Sequence, residues 1–318
     1  MKTLGMAMLI AAGTAMLVAP ARSAPAAGGH GQAIITVLPE NGPEQPVNLT
    51  PQDISVSVGG HPSDIASWEP LQGEKSGLEL VFLIDNSAGL TLGNQLPEIA
   101  KFINSMPENV KVGVAYMENG RAAMAGPLSA DHAQIEKSLH LPNGFAGSSG
   151  SPYFCLSDLA QHWPSNDHAA RHEVILITDG IDTYNRGFDL NDLYLQAAVN
   201  HTVRAGLVVY SIYWRDRGGM DRSSFAATQG QSLISQVTQA TGGGSYWIGT
   251  GNPVSVQPYL KDISVRLKHQ FRLRFDTSLN GKPQIEQMSL KVGGPAAKVY
   301  APHQVYVMPL KAQSENGG

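Results

Sequence analysis

Two stretches, LELVFLIDNSAG at residues 78–89 and HEVILITDGID at residues 172–182, decide how this chain is read. Each is an apolar run that ends in an aspartate: Asp85 followed by Ser87, and Asp179 followed by Gly180 and Asp182. The run from Leu80 to Ile84 has no polar side, which suits a strand buried on both faces in a parallel sheet with helices above and below. Ligands of such sheets collect beyond the carboxyl ends of the strands. Two central strands pointing the same way would bring Asp85, Ser87 and Asp179 to one crevice, and carboxylates with hydroxyls are the donor set of a hard divalent cation. The competing reading is that both aspartates only cap helices and bind nearby loop amides.

Outward from these strands, strand and helix alternate. Leu96, Ile99, Ile103 and Met106 share one helical face, with Asn94 as the expected cap and Pro107 as the stop. VKVGVAYM (110–117) and RAAMAGPL (121–128) flank Asn119-Gly120, a two-residue turn signal that predicts one antiparallel edge strand. A helix with Leu195, Ala198, Val199 and Val203 ends at Gly206 and feeds LVVYSIYW (207–214). Another, from about Leu233, stops at Gly242 before SYWIG (245–249), and a last one carries Val256, Tyr259, Leu260, Ile263 and Leu267. Such alternation predicts an α/β fold with a doubly wound, Rossmann-like sheet.

Both flanks have the period of strands instead: AIITVL, ISVSV and a stretch near Ile65 to Trp68 before, and QFRLRFDTSL, PQIEQMSLKV, AKVY and QVYVM after. Asn280-Gly281 predicts a hairpin between the first two of the later group. Strands from the two chain ends are expected to pair into one small β appendage. The expected organisation is a signal peptide over 1–24, then linker and N-terminal strands over 25–77, with the linker reaching about Gln32. The α/β unit follows over 78–268, then C-terminal strands over 269–310 and a loose tail over 311–318.

The opening MKTLGMAMLIAAGTAMLVAPARSAPA has a lysine, an apolar stretch and small residues suited to cleavage, the pattern of a secretory signal. The chain is expected to be exported, periplasmic or secreted, with no membrane span in its mature part. A hydrophobic content of 42% and a charged content of 15% describe a folded protein. A net charge of −4 with scattered Lys and Arg leaves no footprint for nucleic acid. The single cysteine, Cys155, excludes an internal disulfide and reads as a small buried residue rather than a reactive thiol.

Other constellations are weaker. His168 and His172 lie four apart with His162 upstream, a spacing that suits zinc on a helix but more simply surface histidines. GSSGS has its glycines at the wrong offsets for a nucleophile elbow, no lysine-terminated phosphate loop follows Asp85, and the second acid of a phosphatase site is replaced by Ser87. No enzymatic activity is expected, and a hydrolase using the same acids stands as the least favoured reading. WRDRGGMDRSSFAATQGQ (214–231), with Arg215, Arg217 and Arg222, and TYNRGFDLND (183–192) read either as partner-recognition loops or as solvated connections. Trp214 and Trp247 adjoin strand ends, where packing is the simpler use.

Asp85-Asn86-Ser87, the TDG at Thr178 to Gly180 and the TGG at Thr241 to Gly243, in this order, resemble a von Willebrand factor type A domain over about residues 78–268. The flanks NLTPQDISVSVGGHPSDIASWEPL (48–71), HQFRLRF (269–275) and KVYAPHQVYVM (298–308) are similar to exported bacterial proteins of this class, of the acidobacterial type. The resemblance implies a protein-interaction or adhesion module with a metal-ion-dependent adhesion site of pattern D-x-S-x-S, a distant Thr and a distant Asp. Asp85 and Ser87 match the first two positions and Asp179 the last. Gly89 stands where the second serine is expected, and Ser151, with Ser149 as second choice, stands for the threonine. Thr91 would lend an oxygen only if the loop bent differently. The implied site is degenerate: Asp85, Ser87, Ser151 and Asp179 holding Mg²⁺ or Mn²⁺ weakly, with an acidic side chain of a protein partner completing the coordination. A metal-free scaffold that binds through loops or an edge strand is the alternative.

Overall fold

The computed structural model describes residues 28–40, 49–72, 76–142, 150–184, 192–215, 224–279, 281–293 and 297–310. The signal segment, Ser149, Arg217, Arg222, Asn280 and the tail after Leu310 lie outside them.

Three strands come first, β1 (Gly28–Pro39), β2 (Ile54–Val58) and β3 (His61–Pro70). The α/β alternation follows: β4 (Leu78–Asp85), α1 (Leu96–Asn104), β5 (Val110–Glu118), β6 (Arg121–Met124), α2 (His132–Glu136), α3 (Pro152–Gln161), β7 (Arg171–Thr178), α4 (Leu193–Ala205), β8 (Val208–Tyr213), α5 (Ser224–Thr241), β9 (Gly244–Tyr246) and α6 (Gln257–Lys268). Its sheet has the order β6-β5-β4-β7-β8-β9. All neighbours are parallel except β6, which folds back on β5 through Asn119 and Gly120, both at positive φ as a tight two-residue turn requires.

The apolar strands are explained by burial on both sides. Along β4, Leu80, Phe82 and Ile84 face a core covered by α1 and α6, while Val81 and Leu83 face a second core under α3, α4 and α5. Each strand alternates between two dry layers, so neither face carries a polar pattern. The first helix departs from expectation. Asn94 lies in a 3-10 turn over Leu90–Gln95, the helix begins at Leu96 with no side-chain cap, and it ends at Asn104, short of Pro107. The helix α5 begins at Ser224, ahead of the expected start near Leu233.

The flanking strands close into a barrel rather than an open appendage. β10 (Gln270–Ser278), β11 (Gln284–Val292) and β13 (Gln304–Pro309) join the first three in the ring β10-β3-β2-β11-β13-β1, which returns to β10. β12 (Ala297–Tyr300) pairs with the far end of β1. Ile35, Val37, Val56, Leu273, Phe275 and Val307 fill the interior. Closure removes the exposed sheet edges that an open arrangement would leave.

Two expectations fail here for one reason. No hairpin joins β10 to β11, because β1 and β3 occupy both edges of β10 and β11 pairs instead with β2 and β13. Nor is the segment before Gln32 all linker: β1 starts at Gly28. A Cβ at Gly31 would lie 2.5 Å from the ring of Phe275, and one at Gly29 2.7 Å from Leu279. Those glycines let β1 lie against the other strands where the barrel closes, a role that local composition does not distinguish from a flexible linker.

Candidate functional site

β4 and β7 are adjacent and parallel in the centre of the sheet, with Ile84 level with Ile177. From β4 the chain proceeds to β5 on one side and later to β7 on the other, so the strand order reverses between β4 and β7. Such a switch point opens a crevice at the carboxyl ends of the strands. Asp85 and Thr178 occupy the next register position, and Asp179 follows one residue on.

The aspartates are held by a continuous hydrogen-bond array. One oxygen of Asp85 accepts from the Ser87 backbone N–H at 2.8 Å and from the Ser87 hydroxyl at 2.6 Å. The other accepts from the Thr178 hydroxyl at 2.8 Å, and that hydroxyl accepts from the Gly180 N–H at 3.2 Å. Asp179 accepts from the Ile181 N–H at 3.0 Å. Ser151 caps α3 and donates its hydroxyl to Asp182 at 2.8 Å, while the other Asp182 oxygen accepts from the Tyr184 N–H at 2.7 Å. The Tyr153 hydroxyl donates to the Gly180 carbonyl at 2.7 Å, and Thr183 reaches the Gly150 carbonyl through both its hydroxyl and its N–H. Three loops, after β4, before α3 and after β7, are thereby tied together. Asp85, Ser87, Ser151, Asp179 and Asp182 are all buried.

The structure places Asp85 and Ser87 at the end of β4, Asp179 just after the adjacent β7, and Ser151 at the start of α3. Ser151 engages Asp182, not Asp179, and Asp182 and Thr178 are members of the array that the sequence reading did not assign a role. Their signal was present in the quoted run TDGID, but which of its polar groups turns inward depends on the loop path. Gly89 has φ 63° and ψ −167°, a backbone conformation that a serine would adopt only under strain. Thr91 does not replace the missing hydroxyl: it donates to the Ala88 carbonyl at 3.0 Å and accepts from the Trp214 indole at 3.1 Å. Trp214 is buried as a packing residue, while Trp247 is partly exposed.

Electrostatics disfavour thiol or phenol chemistry at the rim. Burial, with Asp85 and Asp158 adding to it, pushes the Cys155 thiol well above its ordinary range, so it stays protonated and inert at neutral pH. Burial, with Asp182 and Asp192 nearby, does the same to the Tyr153 hydroxyl. The donors that remain are carboxylates and hydroxyls, all oxygen, which is the kind a hard cation takes. His162 meets Asp158 at 3.1 Å and His172 meets the Asp167 carbonyl at 3.0 Å. Among the described residues no three His, Cys, Asp or Glu side chains gather as a metal cluster.

Exposed apolar side chains surround this end of the molecule. Leu90 follows β4, Tyr184 and Leu193 follow β7, Phe225 opens α5 after β8, and Val254 follows β9. In a parallel sheet all these loops lie at the carboxyl end of the strands. Arg215 is pinned there by two hydrogen bonds of 2.6 Å to the Asn252 side chain.

No family model matches the chain, and no curated protein does. Solved structures similar to it include an aerotolerance-related membrane protein from Bacteroides fragilis NCTC 9343, 15% identical over 60% of this chain and 98% of that one, with a TM-score of 0.43. The manganese-loaded TRAP protein of Plasmodium vivax is 13% identical over 75% of this chain and 97% of that one, TM-score 0.41. The SpRpn10 VWA domain is 10% identical over 58% of this chain and 94% of that one, TM-score 0.41. The last of these is a von Willebrand A domain, the class that the strand-end motifs of this chain resemble. Likeness at this level assigns it no activity, metal or partner.

Proposed function

We propose that this chain is an exported protein-interaction module of the von Willebrand A type, with residues 78–268 as the interacting unit and the flanking strands as a β appendage. One observation carries the reading. Asp85 and Ser87 stand at the end of β4 and Asp179 just after the adjacent parallel β7, at the switch point of the sheet, with Asp85 bonded to Thr178 and Ser151 to Asp182, and the loops at this end bear exposed Leu90, Tyr184 and Val254. Large exposed apolar side chains grouped at one end of a molecule suit a partner-binding face.

A divalent cation, Mg²⁺ or Mn²⁺, fits this rim in the kind of donor offered. Asp85, Ser87 and Ser151 would hold it or its water, and Asp179 would balance its charge. Bound there, the ion would supply an open coordination position for an acidic side chain of the partner. With Gly89 in place of a hydroxyl and Thr91 already engaged, water must fill one more position, so the affinity is weak.

The test is thermal stability against cation concentration. A ligand of the folded state stabilises by RT ln(1 + [L]/Kd), about 2.7 kcal/mol at a hundred times Kd. The expected result is a rise in Tm with Mn²⁺ or Mg²⁺ that Asp179→Ala abolishes. Wild-type protein showing no rise at about 10 mM cation would reject the metal part of the reading.

A second reading, a metal-free scaffold, is favoured by the Asp85 carboxylate already accepting three hydrogen bonds from its own chain. A pull-down from the native envelope separates the two: partner capture lost with chelator supports the metal, and capture that persists supports the scaffold.

A further inference from the structure

At the amino-terminal end of the sheet, away from the rim, a cavity of about 420 Å³ lies between the outer wall of the barrel, the start of β7 and the last turn of α4. Among the described residues its lining carries four arginines, Arg171, Arg204, Arg272 and Arg274, and no aspartate or glutamate. That is notable in a chain of net charge −4. The arrangement follows from strand geometry. Arg272 and Arg274 are two apart on β10, so both point outward from the barrel while Leu273 points into it, and β1 sets Ile34 opposite Arg272 and Gln32 opposite Arg274.

The four guanidiniums are unequally compensated. Arg171 meets Glu173 at 3.1 Å, and Arg274 meets Glu69 at 2.8 Å. Arg272 donates to the Ala169 carbonyl at 2.9 Å, and Arg204 rests over the Tyr306 ring, 5.1 Å from its centre. Neither Arg272 nor Arg204 has a carboxylate partner among the described residues. Burial, with Arg274 and Arg171 acting in the same direction against Glu69, lowers the pKa of Arg272, the mark of a cation short of negative charge. The His30 Nδ1, at the same cavity, is buried without a hydrogen-bond partner among the described residues. Between these polar groups the wall is apolar, with Ile34 and Met308 beside the Tyr306 ring.

We propose that this cavity binds a small organic anion, its carboxylate or phosphate held by Arg272 and Arg204 and its apolar or aromatic body laid against Ile34, Met308 and Tyr306. Guanidinium groups suit such oxyanions because their planar fork of donors matches the acceptor geometry. The volume falls in the range of about 300–1,000 Å³ usual for small-molecule sites. The proposal is independent of the rim and of any metal there.

The experiment is calorimetric titration of the full chain with phenyl phosphate, benzoate and, as the neutral control, benzyl alcohol. At least one anion is expected to bind with a Kd near or below about 1 mM, and benzyl alcohol at least about tenfold more weakly. Arg204→Gln and Arg272→Gln should each weaken the anion about tenfold, in protein whose Tm shows it to be folded. The tighter of the two anions identifies the acidic group. If Arg272→Gln fails to fold, Arg204→Gln carries the comparison, since its guanidinium bridges no other chain segment through an ion pair among the described residues. The proposal is overturned if neither anion binds at about 10 mM, if benzyl alcohol binds as well, or if folded Arg204→Gln binds like wild type.

Discussion

Replacing Gly230 with alanine sets two effects of opposite sign against each other. Gly230 lies inside α5, where alanine in place of glycine favours the helix by about 1 kcal/mol. The tertiary structure opposes the change, because a Cβ there would stand 2.1 Å from the Asp179 carbonyl oxygen and 3.2 Å from the Ile181 side chain. Across the same contact, Gly180 has φ +70°, and a Cβ on it would meet the Gly230 carbonyl oxygen at 2.4 Å. The nearest obstacle on either side of the contact is a backbone carbonyl oxygen, so no side-chain rotation relieves it. Overpacking costs about 1–3 kcal/mol, and with rigid neighbours the upper end applies. Subtracting the gain in propensity leaves a net loss of about 2 kcal/mol. Urea denaturation followed by circular dichroism measures it, with Gly206→Ala as the control. Gly206 has φ +67° and nothing within 4 Å of its Cβ position, so alanine there should cost only its backbone strain, about 1–2 kcal/mol. Gly230→Ala as stable as wild type, or more so, would refute backbone contact between α5 and the loop after β7, and with it the placement of Asp179 on the rim.

Asp85→Ala strands the Ser87 N–H and two hydroxyls in a buried place, and should cost about 2–4 kcal/mol in the presence of chelator; a loss below about 0.5 kcal/mol would contradict the array described. Tyr153→Phe removes one buried hydrogen bond, to the Gly180 carbonyl, and should lower stability by about 1–2 kcal/mol by the same measurement. Glu79 supplies a pH test. Burial alone would raise its pKa, but hydrogen bonds from Trp163, Ser165 and Lys111 and the charge of His172 outweigh burial and hold it below 4.5. A carboxylate so depressed contributes stability that is complete above its unfolded value and is lost as pH falls through its folded value. Stability should therefore fall on acidification below 4.5, and Glu79→Gln should lower stability at neutral pH while flattening that acid limb; an unchanged limb would show that Glu79 does not set it.

Where the reading from sequence succeeded, the decisive information was local. β4 and β7 were legible because both of their faces are buried, and the turn at Asn119-Gly120 because only a few residue pairs accept positive φ at two successive positions. The same kind of reasoning failed at Asn280-Gly281. The sequence marks a turn there, but which strand pairs with β10 is settled by β1, more than two hundred residues earlier. Likewise the cap expected at Asn94 yielded to a 3-10 turn that continues the loop after Gly89.

At the rim the division is equally clear. That Asp85 and Asp179 stand at the ends of buried strands follows from one-dimensional pattern, because an apolar run that stops at an acid has no other place to put the charge than the end of the sheet. That Thr178 grips Asp85, that Ser151 turns to Asp182, and that Gly180 touches Gly230 follow only from the path of three loops through space. Periodicity records which faces of an element are dry. It does not record which distant segment dries them, and the barrel closure, the hydroxyl partners and the arginine-lined cavity all depend on that second fact.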